Sequence, residues 1–352
     1  MRVLFAIRGK LGDSLVLAMA VRRYVETHSR DEVVLAIRKD YARLLEGEPR
    51  LRMVAFDSRL EMAAKLLWLR WSAPQFDVLA VLWGFGPPIR MLGRMVRARR
   101  KILFQDRHRD VFPESAGPLP DHDLITPALA VIERFAPGMP APTRLELPAL
   151  AALRTRTTRS AIGVVPIADE LRKNWDKAAL EAMLRRLVER HPGRPIRVFV
   201  NPANVGADAI LAIEFLPPVE LRPFSRLAEV VAGYAQLEAW YGVDTGLYHL
   251  AVAMGIPATV FFGPTQPWKI VMPGQPQTTW VRLGVLGKEH CEEKTCARPL
   301  CLTQAAASFC GAPSAGSLGD TPVACPLRAH APEALAAIQV HESTDRQARQ
   351  AG

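Results

Sequence analysis

Short apolar runs and longer amphipathic segments alternate along the first part of the chain, a pattern typical of strands and helices in turn. The first run, over 2–7, is followed by a glycine-containing turn and a helical pattern over 13–28. Further strands are predicted over 33–37, 53–56, 78–83 and 101–105, and further helices over 41–46, 60–71, 89–96 and 124–135. Residues 106–123 are polar and contain three prolines, which predicts a loop. This alternation predicts a parallel sheet with right-handed crossovers.

Prolines at 137, 140, 142 and 148 mark a linker that ends near Ser160, and a second alternating series follows it. Strands are predicted over 161–165, 196–200, 237–243, 258–262 and 280–283, and helices over 176–191, 207–215, 225–234, 247–254 and 332–339. The cysteine-bearing segment 290–325 is expected to be irregular, and the polar tail 342–352 is expected to fray. We therefore expect an α/β protein with two domains, over 1–150 and 151–341.

Length and composition agree with two folded domains. A chain of 352 residues exceeds the usual size of one domain, and 49% hydrophobic with 23% charged residues is typical of proteins with buried cores. The net charge of +10 favours an anionic partner, which could be nucleic acid, an acidic membrane surface or a phosphorylated substrate. Aromatic residues, at 7%, do not interleave with the basic runs, so nucleic acid is not expected. Solvated arginines are an equally simple explanation of the charge.

The sequence suggests a cytoplasmic location. The apolar stretch at the start of the chain is too short for a signal peptide, and no window approaches the ~20 apolar residues that span a bilayer. We expect the protein to contact the membrane at most peripherally, from the cytoplasmic side of the inner membrane. The five cysteines are then not expected to form a disulfide framework.

One stretch, YGVDTGLYHL over 241–250, combines a buried strand, a polar turn and the start of a helix. Asp244 is predicted to be the N-cap of that helix, and the amides of Thr245 and Gly246 would then point out of its first turn. Such a turn is suited to an anion. His249 lies one helical turn after Thr245 and could donate to the same anion. Alternatively, Asp244 is only a cap and His249 is a core residue.

This stretch resembles the signature of glycosyltransferase family 9, the bacterial lipopolysaccharide heptosyltransferases and their relatives. The resemblance lies in D-T-G-x-x-H-L-A over 244–251, followed by a strand and F-G-P-T over 262–265. It implies the GT-B fold, two Rossmann-like domains with parallel sheets facing a central cleft. It also implies inverting transfer, without a cofactor, of a heptose or similar sugar. The donor would be a nucleoside diphosphate sugar, ADP-heptose in most of the family, and the acceptor an anionic lipopolysaccharide core.

The resemblance assigns the donor to the second domain. It places the amides of Thr245 and Gly246 on the donor diphosphate and Asp244 near the donor sugar, or holding the loop. The stretch LRKNWD over 171–176 is similar to the family's K-x-W-P element, whose lysine, here Lys173, contacts the donor phosphates. Without the resemblance, Lys173 could be a solvated side chain and Trp175 a packing anchor.

Other positions in this domain depart from the family pattern or align poorly with it. Asp176 stands where proline is usual, and Asp169 and Glu170 replace hydroxyl-bearing residues near the phosphates. Their charges would repel a diphosphate, so a non-catalytic nucleotide- or glycan-binding descendant stays an alternative. Glu220, expected near the end of a strand, is a candidate partner for a ribose hydroxyl.

In the first domain, Gly9-x-x-Gly12-Asp13 is expected to form a tight turn that places Asp13 at the N-terminus of the first helix. Asp is a common N-cap, but the resemblance makes Asp13 the base that deprotonates the acceptor hydroxyl. Gly12 and a basic cluster are expected on the acceptor side. The cluster consists of Arg90, Arg94, Arg97, Arg99, Arg100 and Lys101, with Arg107, His108 and Arg109 nearby. Arg94 and Arg97 are the members of this cluster that we select as acceptor-side residues, although the side chains of such basic runs are often simply solvated.

The cysteines fall at Cys291, Cys296, Cys301, Cys310 and Cys325, with His290 adjacent. Two of these spacings would suit a zinc site, but the paired C-x-x-C pattern is missing. Some relatives that glycosylate autotransporter proteins carry a metal-binding cysteine finger. Two alternatives for these cysteines therefore stay open, a bound metal ion and free thiols. Transfer to a protein acceptor is correspondingly a second alternative.

Overall fold

A computed structural model describes residues 1–48, 50–72, 74–117, 123–272, 275, 277–286, 300–311 and 337–342. The chain divides into two units, Met1–Ala149 and Leu150–Gly352. Each unit is built on one sheet with helices packed against it, so the α/β prediction is confirmed. No helix in these described ranges is long and apolar enough to cross a bilayer.

The first unit contains a six-stranded parallel sheet in the order β3-β2-β1-β4-β5-β6. Its strands are β1 (Arg2–Ile7), β2 (Glu32–Arg38), β3 (Leu51–Phe56), β4 (Phe76–Trp83), β5 (Ala98–Leu103) and β6 (Glu114–Ser115). Its helices are α1 (Leu11–Thr27), α2 (Lys39–Ala42), α3 (Arg59–Ser72), α4 (Pro87–Met95) and α5 (Thr126–Glu133), while α6 (Pro148–Thr155) spans the boundary.

Burial explains why these residues form this sheet. The central strands β1, β2 and β4 are covered by helices on both faces, so nearly every residue is buried and apolar. Val3 pairs with Val33 on one side and with Val78 on the other. Strand β3 lies at the sheet edge, and only Val54 and Phe56 of its six residues are buried. The continuous apolar runs therefore identify the strands in the middle of the sheet.

The second unit contains seven strands in the order β13-β12-β11-β10-β7-β8-β9. They are β7 (Ala161–Val165), β8 (Ile196–Val200), β9 (Val219–Pro223), β10 (Leu237–Val243), β11 (Ala258–Phe262), β12 (Thr278–Leu283) and β13 (Ile338–Glu342). All neighbours are parallel except β13, which is antiparallel to β12. The helices are α7 (Lys177–Arg190), α8 (Ala207–Leu211), α9 (Leu227–Tyr234), α10 (Gly246–Ala253), α11 (Pro267–Ile270) and α12 (Leu300–Phe309).

Helix α7 covers one face of this second sheet. Its buried positions, among them Leu180, Met183 and Leu187, recur at helical spacing. Asp176 is its N-cap, because the carboxylate accepts from the amide of Ala179 at 2.8 Å. The same core contains Trp175, which is 3% exposed and meets the ring of Phe261 edge-on with centroids 5.2 Å apart. Trp175 is thus a packing anchor.

Both sheets share one strand order once β13 is set aside. In each, the chain builds outward from the first strand and then crosses to its other side, so β1 lies beside β4 and β7 beside β10. Open α/β sheets bind ligands at the carboxyl ends of the strands that flank such a reversal. The segments after β1, β7 and β10 are therefore the places where each unit is expected to hold a ligand.

The structure corrects several predicted elements. Residues 137–160 include α6, a helix where a linker was expected, and the expected loop 106–123 includes the short strand β6. The predicted helix over 207–215 ends at Leu211. Part of the cysteine-bearing segment is helical, as α12.

The end of the chain also differs from its prediction. Residues 338–342 form strand β13 where the end of a helix over 332–339 was predicted, since their backbone pairs antiparallel with β12. Glu342 therefore closes a strand instead of opening a frayed tail, and 343–352 lie outside the described residues. Residues 332–336 of the predicted helix lie outside the described residues, so the correction concerns only its last two positions, 338 and 339, where an edge strand carries a weak pattern.

Candidate functional site

The candidate site of the second unit is built from the loops that follow three neighbouring parallel strands, β7, β10 and β11. The loop after β7 carries Lys173, the turn after β10 carries Asp244 and Thr245, and Thr265 follows β11. Because these strands are adjacent, the three loops meet at one edge of the sheet.

An ion pair joins two of these loops. The Nζ of Lys173 donates to Oδ2 of Asp244 at 2.7 Å, and their side chains are only 17% and 7% exposed. Burial alone would lower the pKa of Lys173, but the carboxylates of Asp244 and Glu170 outweigh burial and raise it. Burial alone would raise the pKa of Asp244, but Lys173 and a hydrogen bond from Thr265 hold it below its usual value. Both groups are therefore charged at neutral pH.

The sequence-based expectation for Glu170 is modified by its neighbours. Its carboxylate lies 2.9 Å from Nε of Arg172 and 4.0 Å from Nζ of Lys173. The charge that was expected to repel a diphosphate is thus offset locally by Arg172. Whether the nearby Asp169 opposes donor binding stays a prediction.

Asn174 fixes the loop that carries Lys173, and the sequence interpretation missed it. This side chain is 5% exposed, accepts from the amide of Ala168 and donates to the carbonyl of Val205, both at 2.8 Å. It therefore ties both sides of the loop to the segment after β8. The sequence did contain a signal for this role, because a polar residue stands directly before a tryptophan expected to be buried. A buried amide side chain needs hydrogen-bond partners, which the backbone of a loop can provide.

The turn after β10 differs from its prediction by one residue. Helix α10 starts at Gly246 and its N-cap is Thr245, with φ −148° and ψ 163°. Asp244 precedes the cap, and its carboxylate is used by Lys173 and Thr265 instead. The amides at the start of α10 lack partners within the helix, as at any helix N-terminus, so the turn presents donors beside the lysine.

His249 lies on α10 close to the ion pair and is 4% exposed. Burial, partly offset by Asp244 and reinforced by Lys173, lowers its pKa to about 4. The imidazole is therefore neutral near pH 7 and can contribute a hydrogen bond but no positive charge.

Glu220 does not belong to this group of residues. It is the second residue of β9, the edge strand, and lies near the amino end of the strand instead of its carboxyl end. Its carboxylate pairs with Arg222 and Arg197, and these arginines lower its pKa. Glu220 therefore lies near the end of the strand opposite to the ligand-facing one, and its role with ribose stays a prediction.

In the first unit, Asp13 follows β1, but it is the third residue of α1 and not its N-cap. Its Oδ2 accepts from the amide of Lys10 at 3.0 Å. Gly9 makes room for this arrangement, since a Cβ there would lie 2.5 Å from Cβ of Asp13 and 3.0 Å from the Trp83 ring. Neither Gly9 nor Gly12 has a positive φ, so the turn needs small residues for close approach and not for backbone conformation.

A pocket of about 380 Å³ opens beside Gly9 at the carboxyl ends of β1, β2 and β3. Its lining is Arg8, Gly9, Arg38, Phe56, Asp57, Ser58, Arg59 and Met62. Burial and the charges of Arg59 and Arg38 lower the pKa of Arg8, which shows that these guanidinium groups repel one another. The sequence interpretation missed this set because its members are far apart in the chain, although each stands at or just after the end of a predicted strand.

Most arginines of the basic cluster predicted for the acceptor are paired with nearby carboxylates. Arg90 and Arg94 share Asp110, at 2.6 and 3.4 Å, and Arg94 is exposed. The remaining ion pairs are Arg99 with Asp77, Arg100 with Glu114 and Arg109 with Asp106. Arg97 is exposed and makes no ion pair with any described residue. Most of the cluster thus neutralises local carboxylates.

Two cysteines lie in the described chain, Cys301 in α12 and Cys310 just after it, and both are free thiols. The Sγ of Cys310 contacts Sδ of Met183 at 4.0 Å, and burial raises the pKa of this thiol to about 11. Among described residues, no group of three or more His, Cys, Asp or Glu side chains could hold a metal. Cys291, Cys296, Cys325 and His290 lie outside the described residues, so the metal stays untested.

Comparison with solved structures finds the same fold in heptosyltransferases. E. coli heptosyltransferase WaaC with ADP has a TM-score of 0.64 at 17% identity, covering 79% of this chain and 92% of that one. WaaC with ADP-2-deoxy-2-fluoro heptose has a TM-score of 0.59 at 18% identity, covering 78% and 92%. E. coli ADP-heptose lipopolysaccharide heptosyltransferase II has a TM-score of 0.62 at 15% identity, covering 88% and 98%. The predicted GT-B fold is confirmed.

Comparison of the sequence with models of protein families finds one matching family. Residues 133–301 match the model of glycosyltransferase family 9 (heptosyltransferase), while no curated protein matches the chain. The matched range contains Lys173, Asp244 and His249, and excludes Asp13 and the arginine pocket. The family match covers just under half of the chain, and the shared fold adds to it, so the chain is similar to the glycosyltransferases of family 9 and to the lipopolysaccharide heptosyltransferases among them.

Proposed function

We propose that the protein transfers a heptose or similar sugar from ADP-heptose to an anionic glycan acceptor of the lipopolysaccharide core type. The observation that carries the proposal is the buried ion pair between Lys173 and Asp244 beside the start of α10. The choice of donor is supported by the ADP and ADP-2-deoxy-2-fluoro heptose that accompany WaaC in its solved structures. Transfer would take place at the cytoplasmic face of the inner membrane.

The second unit supplies the groups that favour departure of the diphosphate. Breaking the glycosidic bond adds negative charge to the leaving group, which preorganised donors stabilise. Asp244 holds Nζ of Lys173 in place, and the amides of Thr245 and Gly246 lie next to it in the chain. His249 would contribute a hydrogen bond from a neutral ring. Asp244 is thus a positioning residue for the lysine.

The first unit supplies the base. Asp13 takes the proton of the acceptor hydroxyl as that oxygen attacks the anomeric carbon on the face opposite the diphosphate, which inverts the centre. Its carboxylate is oriented by the amide of Lys10 and by the close approach of Gly9.

The arginine pocket supports an anionic acceptor. Gly9 lines the pocket and also contacts Asp13, so an acceptor group held by Arg8, Arg38 and Arg59 would sit close to the base. Phosphate and carboxylate groups suit such converging guanidinium groups because they accept bidentate hydrogen bonds. This pocket therefore takes the role that the sequence assigned to Arg94 and Arg97.

The proposal is tested by donor binding and by product analysis. Calorimetry should show that ADP-heptose binds more tightly than UDP-glucose, and the product anomer should be inverted by NMR. The substitution Lys173→Met should reduce kcat/KM by about 10²–10³, the usual effect of losing a donor to developing charge. Lys177→Met is the matched control, because Lys177 is 68% exposed at the start of α7 and forms an exposed ion pair with Glu181.

Two outcomes would overturn the proposal. One is binding of nucleotide without transfer to any glycan or protein acceptor, which would indicate a non-catalytic descendant. The other is full activity in Lys173→Met. Transfer to a secreted protein but not to a glycan would keep the donor site and replace the acceptor.

A further inference from the structure

Helix α3 exposes large apolar side chains along one face. Leu60 is 84% exposed, Leu67 47%, Trp68 56% and Trp71 79%. Spacings of seven, eight and eleven residues from Leu60 place all four within one stripe of an α-helix. The opposite stripe, with Met62, Leu66 and Leu69, is buried in the first unit. Helix α3 is therefore apolar on both its core side and its exposed side.

The exposed apolar stripe is bordered by cations. The guanidinium of Arg52 lies over the ring of Trp68 at 5.8 Å. Arg70 donates to the carbonyls of Arg94 and Met95, which brings the end of α4 beside the end of α3. The acidic residue on the helix, Glu61, is neutralised by Lys65 at 2.7 Å. The surface thus combines exposed tryptophans with an excess of positive charge.

We propose that this face of α3 docks on an anionic lipid bilayer, with the helix lying in the plane of the interface. Tryptophan is favoured at that interface because its ring is apolar and its N–H is polar. Nearby Lys and Arg side chains add electrostatic attraction to anionic headgroups. A helix with tryptophan and leucine on one side and basic residues at its borders is typical of interfacial anchors.

A second copy of the chain fits this surface less well. In a two-fold dimer the same patch faces itself, so Arg52 and Arg70 of one copy would meet those of the other. Like charges across an interface oppose association. An anionic bilayer neutralises the same cations instead, which is why it is the occupant we infer.

The docking surface also adjoins the arginine pocket. Arg59 is the first residue of α3 and lines the pocket, so docking of α3 would hold the pocket at headgroup level. An acceptor carried by a membrane lipid would then reach the pocket without leaving the bilayer. This last link rests on the proposed function, whereas lipid binding itself does not.

Vesicle co-sedimentation without donor tests the docking. The protein should bind vesicles of phosphatidylglycerol and phosphatidylcholine, bind pure phosphatidylcholine more weakly, and lose binding as salt is raised. The double substitution Leu60→Ser and Trp71→Ser should weaken partitioning at least about tenfold, because two exposed apolar side chains no longer enter the interface. Leu216→Ser is the matched control, since Leu216 is 74% exposed in the second unit, and it should bind as the wild type does.

A second measurement guards against a folding defect in the double variant. Brominated lipids should quench the wild-type tryptophan fluorescence, and the quenched fraction should fall when Trp68 and Trp71 are both replaced by Phe.

Three results would overturn the proposal. They are no binding of anionic vesicles, equal binding by the variant with Leu60→Ser and Trp71→Ser, or a concentration-dependent dimer that this variant abolishes. Transfer to a water-soluble acceptor should be unchanged in the variants, so failure here would leave the proposed enzyme intact.

Discussion

The two units place cations at the carboxyl ends of their sheets in opposite electrostatic situations. In the second unit, Lys173 is held by the buried carboxylate of Asp244, which neutralises it before any ligand arrives. In the first unit, three arginines face a pocket whose lining contains one carboxylate, that of Asp57, and this carboxylate also lies 3.5 Å from Lys39. The comparison shows two uses of a cationic side chain: one that is paired inside the protein holds loops together, and one that lacks enough carboxylate partners attracts an anionic ligand.

Each arrangement has a different effect on stability. A paired and buried lysine contributes to the fold, and removing one partner leaves an uncompensated charge. Converging arginines repel one another, and an anion that binds between them relieves the repulsion. We therefore expect substitutions in the two units to move stability in opposite directions while lowering activity in both.

The largest effect is expected when the ion pair is broken. Lys173→Met should lower the free energy of unfolding by about 3–5 kcal/mol, because Asp244 is left buried and unpaired. The double variant with Asp244→Asn should recover most of that loss, since no charge is then buried alone. Urea denaturation at neutral pH measures both. Equal stability of the two variants would show that the pair does not hold the loops.

The same double variant also separates the contribution of Lys173 to stability from its contribution to catalysis. The double variant should stay as inactive as Lys173→Met although its stability returns, because the donor to the diphosphate is still missing. Recovery of activity together with stability would mean that Lys173 acts only through the fold.

An intermediate effect is expected from pH, and His249 of the second unit is the residue that we expect to produce it. The pKa of His249 is lowered from 6.5 to about 4 in the folded protein, so the unfolded chain binds the extra proton between these values. Stability should be fully present above pH 6.5 and fall by about 3 kcal/mol as the pH drops toward 4. Asp244 adds to the loss at still lower pH, because its pKa is also held below its usual value.

Replacing His249 by Leu provides the control for this titration. The variant lacks the group that must become protonated, so its unfolding free energy should change less between pH 6.5 and 4. Chemical denaturation at several pH values gives the comparison. An unchanged slope would assign the pH dependence to other residues.

The smallest effect on stability is expected in the first unit. Arg8→Met removes one of three mutually repelling charges, so the protein should be unchanged or more stable by up to about 1 kcal/mol. The KM for an anionic acceptor should nevertheless rise about tenfold, because one charge-assisted contact is lost. Lys39→Met, at an exposed position beside the pocket, is the control. A clear loss of stability in Arg8→Met would contradict the comparison.

Much of the architecture was predictable because central parallel strands are continuous apolar runs. Strands β1, β4, β7 and β10 lie at the predicted positions to within a few residues. The D-T-G turn and its helix were also predictable, since an apolar strand stops there at polar and small residues. Edge elements such as β6 and β13 were not, because half-exposed strands carry weak patterns.

The contacts within each candidate site were harder to predict. Lys173 and Asp244 are 71 positions apart, and their pairing follows from β7 and β10 being neighbours in the sheet. Arg8, Arg38 and Arg59 converge for the same reason, since β1, β2 and β3 are adjacent. Sequence periodicity indicates where strands are but not their lateral order. Local charge density therefore favoured the Arg90–Arg109 region, whose arginines are mostly paired.

The antiparallel strand β13 has a practical consequence for shortened versions of the protein. It hydrogen-bonds along β12, whose residues Val281 and Leu283 are fully buried. A chain that stopped ahead of residue 337 would leave the polar backbone of an apolar strand open to pairing with other molecules. Shortened versions should therefore be expected to self-associate, because β13 covers the edge of the sheet in the second unit.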